Sequence, residues 1–383
     1  MRVLHVASGN LFGGVETMLV MMARHRELCP DMEPSFAICF EGRLAEELRA
    51  LDVDVHCLGE VRLSRWWSVL AARRNMAALL QRFSFDRVIC HSVWPVAVFA
   101  PVFAQTSSGS NLRWGFWLHD RITGRHWLEL LSRRHRPHFG VCNSRFSAQT
   151  LPRLFPSLKD PLICYPLAGV PEPRVGRSSV RAALNTPEQD TIIIQVSRLE
   201  EWKGQMQLLD ALARLTHLPG WTCWQVGGPQ RRSEVSYFER LQNRAVDLGI
   251  SNRVRFTGAR RDVPDLLAAA DIHCQPNSGP EPFGLAFIEA LYSALPVVTT
   301  AFGGALEILD SSCAVLVPVG DPDALSDALE GLIRNPLRRH RLGANGPARA
   351  ACISGPSGRL RELCRSLAVL PDSPQSAMEA AFQ

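Results

Sequence analysis

The sequence has no long hydrophobic run, no Cys-x-x-Cys pair and almost no lysine. The longest nearly uncharged apolar stretch of the 383 residues is 93–104, far short of the ~20 residues that a membrane-spanning helix needs. The first apolar stretch breaks at residues 8–10, too early for a signal peptide. The cysteines are odd in number and scattered, which argues against a disulfide scaffold or a zinc ribbon. We therefore expect a cytoplasmic protein.

The positive charge lies in the first half of the chain. Residues 1–170 carry 20 Arg and Lys against 14 Asp and Glu, whereas residues 171–383 carry 22 against 23. Only Lys159 and Lys203 are lysine among the 42 basic residues. A basic half could bind phosphates, an acidic membrane leaflet or nucleic acid, but an ordinary solvated surface also has this balance.

Short apolar runs alternate with segments of helical period. This alternation predicts an α/β fold with parallel sheets covered by helices on both faces. The predicted strands are 2–7, 36–40, 53–58, 87–91, 113–118, 138–142, 161–165, 191–196, 221–226, 253–257, 272–275, 296–299 and 313–317.

The alternation stops once and then restarts, which divides the chain. We predict a first doubly wound domain at 1–170, a linker at 171–185 and a second doubly wound domain at 186–355. A helix and a frayed tail follow at 356–383. Ligands of such sheets bind beyond the carboxyl ends of the strands, so two sheets facing each other would enclose an interdomain cleft.

The first strand is followed by Gly13-Gly14, which open a helix. Paired glycines let backbone amides approach an anion at the positive helix end, although a tight turn would look the same. The spacing matches neither the Gly-x-Gly-x-x-Gly of dinucleotide sites nor a P-loop.

The second domain holds the stronger candidates. Arg198 and Lys203 lie on a turn after the strand 191–196, where two cations can hold a diphosphate. Glu281 and Glu289 lie before and inside an apolar helix, where buried carboxylates need donors such as sugar hydroxyls. The glycine pairs Gly227-Gly228 and Gly303-Gly304 each follow a strand and could offer amides to phosphate oxygens.

Taken in order and spacing, these motifs resemble glycosyltransferase family 4. The resemblance covers most of 190–335 and is looser in 1–170, where it rests on Gly13-Gly14, His91 and His119. It implies the GT-B fold, with two Rossmann-like domains facing an interdomain cleft, and transfer of a sugar with retention of anomeric configuration.

The resemblance also implies roles. Arg198 and Lys203 would stabilise the departing nucleotide diphosphate, Glu281 would contact the donor sugar or phosphates, and His119 would lie beside the reacting sugar. Glu289 would bind the ribose diol. The remaining donor-binding candidates are Gly13, Gly14, Gly227, Gly228, Arg261, Val263, Phe283, Gly284, Leu285, Gly303, Gly304 and Glu307.

In the expected reaction, cations and backbone amides can take the place of a metal. Charge builds on the leaving phosphate as the glycosidic bond breaks, and preorganised cations and amides there are the expected main catalytic contribution. We therefore expect neither a metal nor another cofactor, with the nucleotide-diphosphate sugar as a co-substrate.

The chain departs from the family at two places. Ala168-Gly169-Val170-Pro171 stands where Asn-Gly-Val-Asp is common, and Ala294 replaces a usual glycine before the strand at 296. The second departure puts the geometry of that helix end in question.

The acceptor and any membrane contact belong to the first domain. The basic, His-rich stretch 121–138 could recognise an anionic acceptor or be a solvated face. The helix 64–83 pairs tryptophans with arginines and could rest on the inner face of an anionic membrane, or simply bury its apolar face in the domain.

We therefore expect a retaining hexosyltransferase that acts on a carbohydrate or lipid-linked acceptor in cell-surface polysaccharide or glycolipid synthesis. We expect no nucleic-acid partner. The alternatives are a GT-B-like sugar-nucleotide epimerase and a non-catalytic nucleotide-sugar-binding subunit.

Overall fold

The computed structural model describes residues 1–107 and 112–370 and divides into two compact units. The first unit is Met1–Ala168 together with the segment that begins at Ser354, and the second is Gly169–Ile353. The predicted frayed tail, 371–383, lies outside the described residues.

The first unit contains one parallel sheet and the helices that connect its strands. Its strands are β1 (Arg2–Ala7), β2 (Glu33–Ile38), β3 (Val55–Cys57), β4 (Arg87–His91), β5 (Arg113–Leu118), β6 (Phe139–Cys142) and β7 (Leu162–Ile163). Its helices before residue 168 are α1 (Gly14–Arg24), α2 (Arg43–Arg49), α3 (Trp66–Arg82), α4 (Val93–Ser107), α5 (Trp127–Ser132) and α6 (Arg145–Ala148). The strand order is β3-β2-β1-β4-β5-β6-β7.

The second unit repeats this plan. Its strands are β8 (Thr191–Val196), β9 (Trp221–Val226), β10 (Val254–Gly258), β11 (Ile272–Gln275), β12 (Val297–Thr300) and β13 (Ala314–Val317). Its helices are α7 (Arg177–Ala183), α8 (Gln205–Ala213), α9 (Arg232–Asp247), α10 (Val263–Ala269), α11 (Leu285–Tyr292), α12 (Ala305–Ile308), α13 (Pro322–Ile333) and α14 (Pro336–Ser354). The strand order β10-β9-β8-β11-β12-β13 is that of a dinucleotide-binding sheet.

The strands form because their apolar runs are buried on both faces, as parallel sheets covered by helices require. In the first unit Leu4 and Phe116 are fully buried, and in the second Ile193 and Trp221 are equally inaccessible. The predicted strands are confirmed with small shifts at their ends, and the predicted α/β class with two Rossmann-like doubly wound domains is confirmed.

Part of the predicted linker is a packed helix of the second unit. Within 171–185, α7 places Arg181 in the interior, where its Nη2 donates to Asp271 at 2.7 Å and its Nε donates to the Ala269 carbonyl at 3.1 Å. The sequence did not predict this helix because residues 166–179 are rich in Pro, Gly, Arg and Ser, a composition typical of a linker.

The last described helix, α15 (Pro356–Ala368), returns to the first unit. Its Leu360, Leu363 and Leu367 are buried, and Arg87 at the start of β4 donates to the Leu367 carbonyl at 3.3 Å.

The order of strands in each sheet fixes where ligands can bind. In each sheet the strand order reverses between two neighbouring strands, which are β1 and β4 in the first unit and β8 and β11 in the second. The loops that follow these two strands run in opposite directions and leave a crevice between them at the carboxyl edge of the sheet. In the second unit these loops begin at residues 197 and 276.

Candidate functional site

A buried ion pair joins the two loops at the crevice of the second sheet. Nζ of Lys203, after β8, lies 2.7 Å from Oε2 of Glu281, after β11. The side chains are only 13% and 7% exposed. Oε2 also accepts hydrogen bonds from Nε2 of Gln275 at 3.1 Å and Nδ2 of Asn277 at 3.3 Å. A buried carboxylate requires such donors, and the ammonium keeps two further N–H groups for a ligand.

The backbone holds these loops together. Gly204 has a φ of +79°, and a Cβ there would lie 2.0 Å from the Pro276 carbonyl oxygen, so only glycine permits this approach. The Ser278 N–H donates to the Trp202 carbonyl at 2.9 Å. Nζ of Lys203 also lies 4.1 Å from the centroid of the Trp202 ring. The lysine is thus fixed in place before any ligand binds.

Three buried glutamines, two in strands and one at the start of α8, support the loop that carries Arg198 and Lys203. Gln225 donates to Gln195 at 3.2 Å, and Gln195 donates to the Lys203 carbonyl at 2.8 Å. Gln205, at the start of α8, donates to the Arg198 carbonyl at 2.8 Å and accepts from the Tyr237 hydroxyl at 3.2 Å. These bonds fix the backbone at both predicted cations.

Arg198 is more accessible than Lys203. Its Nη1 lies 3.0 Å from Oε1 of Glu200, and its side chain is 40% exposed. An exposed pair of this kind contributes little stability, so the guanidinium can rotate towards an anion at small cost.

The Gly303-Gly304 pair lies against the Glu281 loop, which corrects part of the prediction. The Gly304 N–H donates to the Glu281 carbonyl at 2.7 Å, so this amide does not face a phosphate. A Cβ on Gly303 would lie 2.5 Å from that same carbonyl oxygen, and one on Gly304 would lie 2.3 Å from the Pro282 oxygen. The glycines are needed because two backbones touch.

Gly227-Gly228 make a similar contact after β9. The Gly227 N–H donates to the Gly258 carbonyl at 3.0 Å, which also removes it from the predicted phosphate donors. A Cβ on Gly227 would lie 2.0 Å from the Ser197 oxygen, so this turn packs directly beneath the loop that carries Arg198.

The other donor-site candidates of the second unit surround the same carboxyl edge. Gly284, with a φ of +106°, precedes α11. Phe283 is buried, whereas Leu285, Glu289, Glu307 and Val263 are half-buried and Arg261 is exposed. A Cβ on Gly284 would lie 2.4 Å from the Phe287 ring, so this glycine is required by packing as well as by its backbone angle.

In the first unit, Gly13-Gly14 do begin a helix, but a carboxylate of the protein already lies at the N-terminus of that helix. The Gly13 N–H donates to Oε2 of Glu16 at 3.0 Å, in a capping arrangement. A carboxylate at this position satisfies the helix N-terminus. The predicted phosphate cradle therefore needs Glu16 to move, and the Gly13 amide is not a free donor.

A row of three histidines crosses the first sheet. Nδ1 of His5 lies 2.9 Å from Nε2 of His91, and Nδ1 of His91 lies 2.9 Å from Nε2 of His119. The three side chains come from β1, from β4 and from the residue after β5, which are neighbouring strands. His5 and His91 are buried and His119 is half-buried.

The row is uncharged. Burial lowers the pKa of His5 and of His119 to about 3. Burial, with the neighbouring His119 and His5, lowers the pKa of His91 well below its usual value. Each neutral ring then has a single N–H, so the two hydrogen bonds must point the same way.

The direction follows from Nε2 of His5, which is buried and has no hydrogen-bond partner in the part of the chain that the structure describes. If the bonds ran towards His5, this atom would be a buried N–H without an acceptor, which is rarer in proteins than an unused lone pair. The bonds therefore run from His5 to His119, which places the remaining proton on Nδ1 of His119.

Two negative findings concern the described residues. No group of three or more His, Cys, Asp and Glu among residues 1–107 and 112–370 is placed to hold a metal ion. Within the same ranges, no helix combines the length and the apolar character that a membrane crossing requires.

The sequence analysis did not identify the buried polar residues that hold the site residues in place. The glutamines at 195, 225 and 275 and the histidine at position 5 each interrupt an apolar strand, and a buried polar residue near a strand end is the signal that could have identified them.

The second unit matches a known enzyme family. Residues 176–349 match the model described as "Glycosyl transferases group 1". A lipopolysaccharide core biosynthesis glycosyltransferase, LpsE of Rhizobium meliloti, is 33% identical over 167 residues, which are 43% of this chain and 46% of that protein. A D-inositol 3-phosphate glycosyltransferase of Corynebacterium urealyticum is 33% identical over 202 residues, 51% of this chain and 47% of that protein. The matched parts thus span about half the length of these relatives.

Solved structures resemble the whole chain. Anabaena Alr3699/HepE in complex with UDP and glucose has a TM-score of 0.83 at 21% identity, covering 96% of this chain and 99% of that one. WaaG, a glycosyltransferase involved in lipopolysaccharide biosynthesis, has a TM-score of 0.68 at 17% identity, covering 95% and 99%. At these identities the likeness establishes the GT-B fold alone.

Proposed function

We propose that the protein is a glycosyltransferase that uses a nucleotide-diphosphate sugar, because residues 176–349 match the model described as "Glycosyl transferases group 1". The observation that carries the proposal is the ion pair of Lys203 and Glu281 at the crevice of the second sheet. A buried lysine with two N–H groups that Glu281 does not use, and a more exposed arginine on the same turn, suit a diphosphate.

In the proposed reaction the bond between sugar C1 and the diphosphate oxygen breaks. The acceptor hydroxyl oxygen forms a new bond to C1, and its proton passes to the departing diphosphate. Lys203 and Arg198 stabilise the charge that develops on the leaving group. Glu281 orients Lys203 and contacts donor hydroxyls with its remaining lone pairs, while Glu289 binds the ribose. We propose retention at C1 and independence of metal ions.

We assign acceptor recognition and the sugar contact of His119 to the first unit. Its Nδ1–H is a neutral donor suited to a sugar oxygen, because the pKa of His119 is lowered to about 3. The transferred group is proposed to be a hexose and the acceptor a carbohydrate or a lipid-linked saccharide. Relatives named for lipopolysaccharide core synthesis and for inositol 3-phosphate support cell-surface polysaccharide or glycolipid synthesis.

A cytoplasmic location with contact to the inner membrane face also remains a proposal. At the start of α3, Trp66 and Trp67 are 68% and 57% exposed, whereas Ala72, Met76 and Leu79 are buried. The middle of the helix therefore packs as a Rossmann helix should, and its first turn presents indole rings that suit a membrane interface.

Calorimetry with UDP, GDP and ADP tests the donor assignment directly. We expect one nucleotide diphosphate to bind and Lys203→Ala to abolish both that binding and sugar transfer. Lys159→Ala is the matched control, because it removes the only other lysine, which is exposed. Equal nucleotide affinity in both variants would refute the assignment.

A second experiment measures nucleotide release from the donor with and without a candidate acceptor. It distinguishes a transferase from an epimerase and from a non-catalytic subunit. Acceptor-dependent release supports a transferase, and rapid release without acceptor together with an epimerised sugar would identify an epimerase. Nucleotide-sugar binding without any release would identify a non-catalytic subunit.

A further inference from the structure

A basic cavity lies in the first unit, outside the donor loops. It has a volume of about 690 Å³ and is lined by Arg121, Thr123, Arg125 and Arg153. Of the four described residues that line it, three are cationic and none is a carboxylate. A cavity of this composition attracts an anion from every side.

The three guanidinium groups have no ionic partner in residues 1–107 and 112–370. Arg153 donates to the Ile122 carbonyl at 3.4 Å. Elsewhere in this unit, Arg43 pairs with Glu47 at 2.6 Å and Arg49 pairs with Glu41 at 2.7 Å. Like charges gathered without a counter-charge repel one another unless an anion or water separates them.

The cavity wall is held in position before binding. Glu129 accepts hydrogen bonds from the Thr123 N–H at 3.0 Å, the Thr123 hydroxyl at 2.9 Å and the His126 N–H at 3.2 Å. The Ile122 N–H donates to Oγ1 of Thr150 at 3.1 Å. Glu129 is thus used to fix the loop, and Asp120 accepts a hydrogen bond from the Arg121 N–H at 2.7 Å. Among the described residues, neither carboxylate forms an ion pair with a guanidinium of the cavity.

The same loop begins at His119, directly after β5. The cavity residues 121–125 follow that histidine by two to six positions, at the carboxyl edge of the sheet where ligands of parallel sheets bind. The Asn143 side chain donates to the His119 carbonyl at 3.0 Å, which fixes the start of the loop. The cavity residues and His119 therefore lie on one loop at this edge of the sheet.

We propose that this cavity binds a phosphate ester carried by the acceptor. The inference rests on the proposed function and adds the class of acceptor to it. A guanidinium group can donate two parallel hydrogen bonds to two oxygens of a phosphate. Three guanidinium groups suffice to neutralise the two negative charges of a phosphate monoester. The ester could belong to a soluble sugar or polyol phosphate or to a phospholipid headgroup.

The test uses the full chain, glucose 6-phosphate and glucose as probes, and calorimetry. We expect glucose 6-phosphate to bind and glucose not to bind. Each of Arg121→Gln, Arg125→Gln and Arg153→Gln should weaken binding about tenfold, because each removes a charge-assisted hydrogen bond. The triple variant should show no measurable binding.

A matched triple variant controls for general charge. Arg24→Gln, Arg82→Gln and Arg232→Gln remove the same three charges from exposed positions and should leave glucose 6-phosphate binding within about twofold. Equal losses in the two triple variants would overturn the proposal, because attraction would then come from net charge alone. Binding that survives in the cavity variant and is lost in Lys203→Ala would also overturn it, since the probe would occupy the donor loops.

Vesicles distinguish the source of the phosphate. Phosphatidylglycerol vesicles that bind the wild type and not the cavity variant would support a headgroup. Binding of glucose 6-phosphate with equal vesicle binding of both proteins would support a soluble phosphate ester. Nucleotide binding is measured in parallel, so failure of the donor assignment is detected separately from failure of the cavity.

Discussion

Lys203 and Glu281 are 78 positions apart in the chain and 2.7 Å apart in space. They follow neighbouring strands, so the pair closes the crevice at which the strand connections diverge. The pair is largely buried, and breaking a buried pair leaves one uncompensated charge.

Removing the lysine should therefore cost stability as well as function. We expect Lys203→Met to lower the free energy of unfolding by about 3 kcal/mol, measured by urea unfolding. Adding Glu281→Gln should restore part of this loss, because the amide needs no counter-charge. Lys159→Met should change stability by less than about 0.5 kcal/mol. If the double variant lost as much free energy of unfolding as the two single variants together, the coupling between the two residues would be contradicted.

The contact between Gly303 and the Glu281 loop gives a second prediction. Gly303 and Gly320 have φ values of +74° and +76°, but a Cβ on Gly320 meets nothing within 4 Å. Gly320→Ala should cost only the left-handed backbone strain, about 1–2 kcal/mol. Gly303→Ala adds overlap with a carbonyl and should cost about 3 kcal/mol or more, with loss of nucleotide affinity by calorimetry. Equal costs would mean that the two loops do not touch.

Ala294 allows a stabilising change. It has a φ of +55° after α11 and is exposed, so its methyl group adds strain and little burial. Ala294→Gly should raise the free energy of unfolding by up to about 1 kcal/mol, because relief of strain exceeds the added entropy of the unfolded chain. Ala78→Gly, at an exposed position inside α3, should instead lower it by about 1 kcal/mol. A loss of stability in Ala294→Gly would contradict the strained conformation.

The histidine row predicts a dependence of stability on pH. Burial lowers the pKa of His5 to about 3, below the ~6.5 of an unfolded chain. The unfolded state therefore binds more protons between these values. The stabilising contribution is complete above about pH 6.5 and is lost as the pH falls towards 3.

We expect His5→Asn to make the urea midpoint less sensitive to pH between 7 and 4, because asparagine retains a donor towards His91 without titrating. His217→Asn, at an exposed position, should leave that sensitivity unchanged. The rate of nucleotide release should show no inflection from His119 near pH 6.5, since its pKa is about 3. An identical slope in wild type and His5→Asn would refute the neutral row.

Much of the fold was predictable because the buried strands of a parallel sheet appear in the sequence as apolar runs. The positions of Arg198, Lys203, Glu281 and His119 relative to strand ends followed from the same alternation. Their partners did not, because a sequence does not record which loops meet across a sheet. The amides of Gly13, Gly227 and Gly304 were assigned to phosphate although each already has an acceptor within the protein, and only geometry distinguishes these two uses of glycine.

The return of α15 to the first sheet makes the second unit an insertion within the first. The Ala168 N–H donates to the Ser354 carbonyl at 3.0 Å, so the chain leaves the first unit and re-enters it at adjoining points. A short peptide could bridge those points without stretching either end. The second unit could accordingly be exchanged as a whole at this junction, leaving the sheet of the first unit, its histidines and its basic cavity undisturbed.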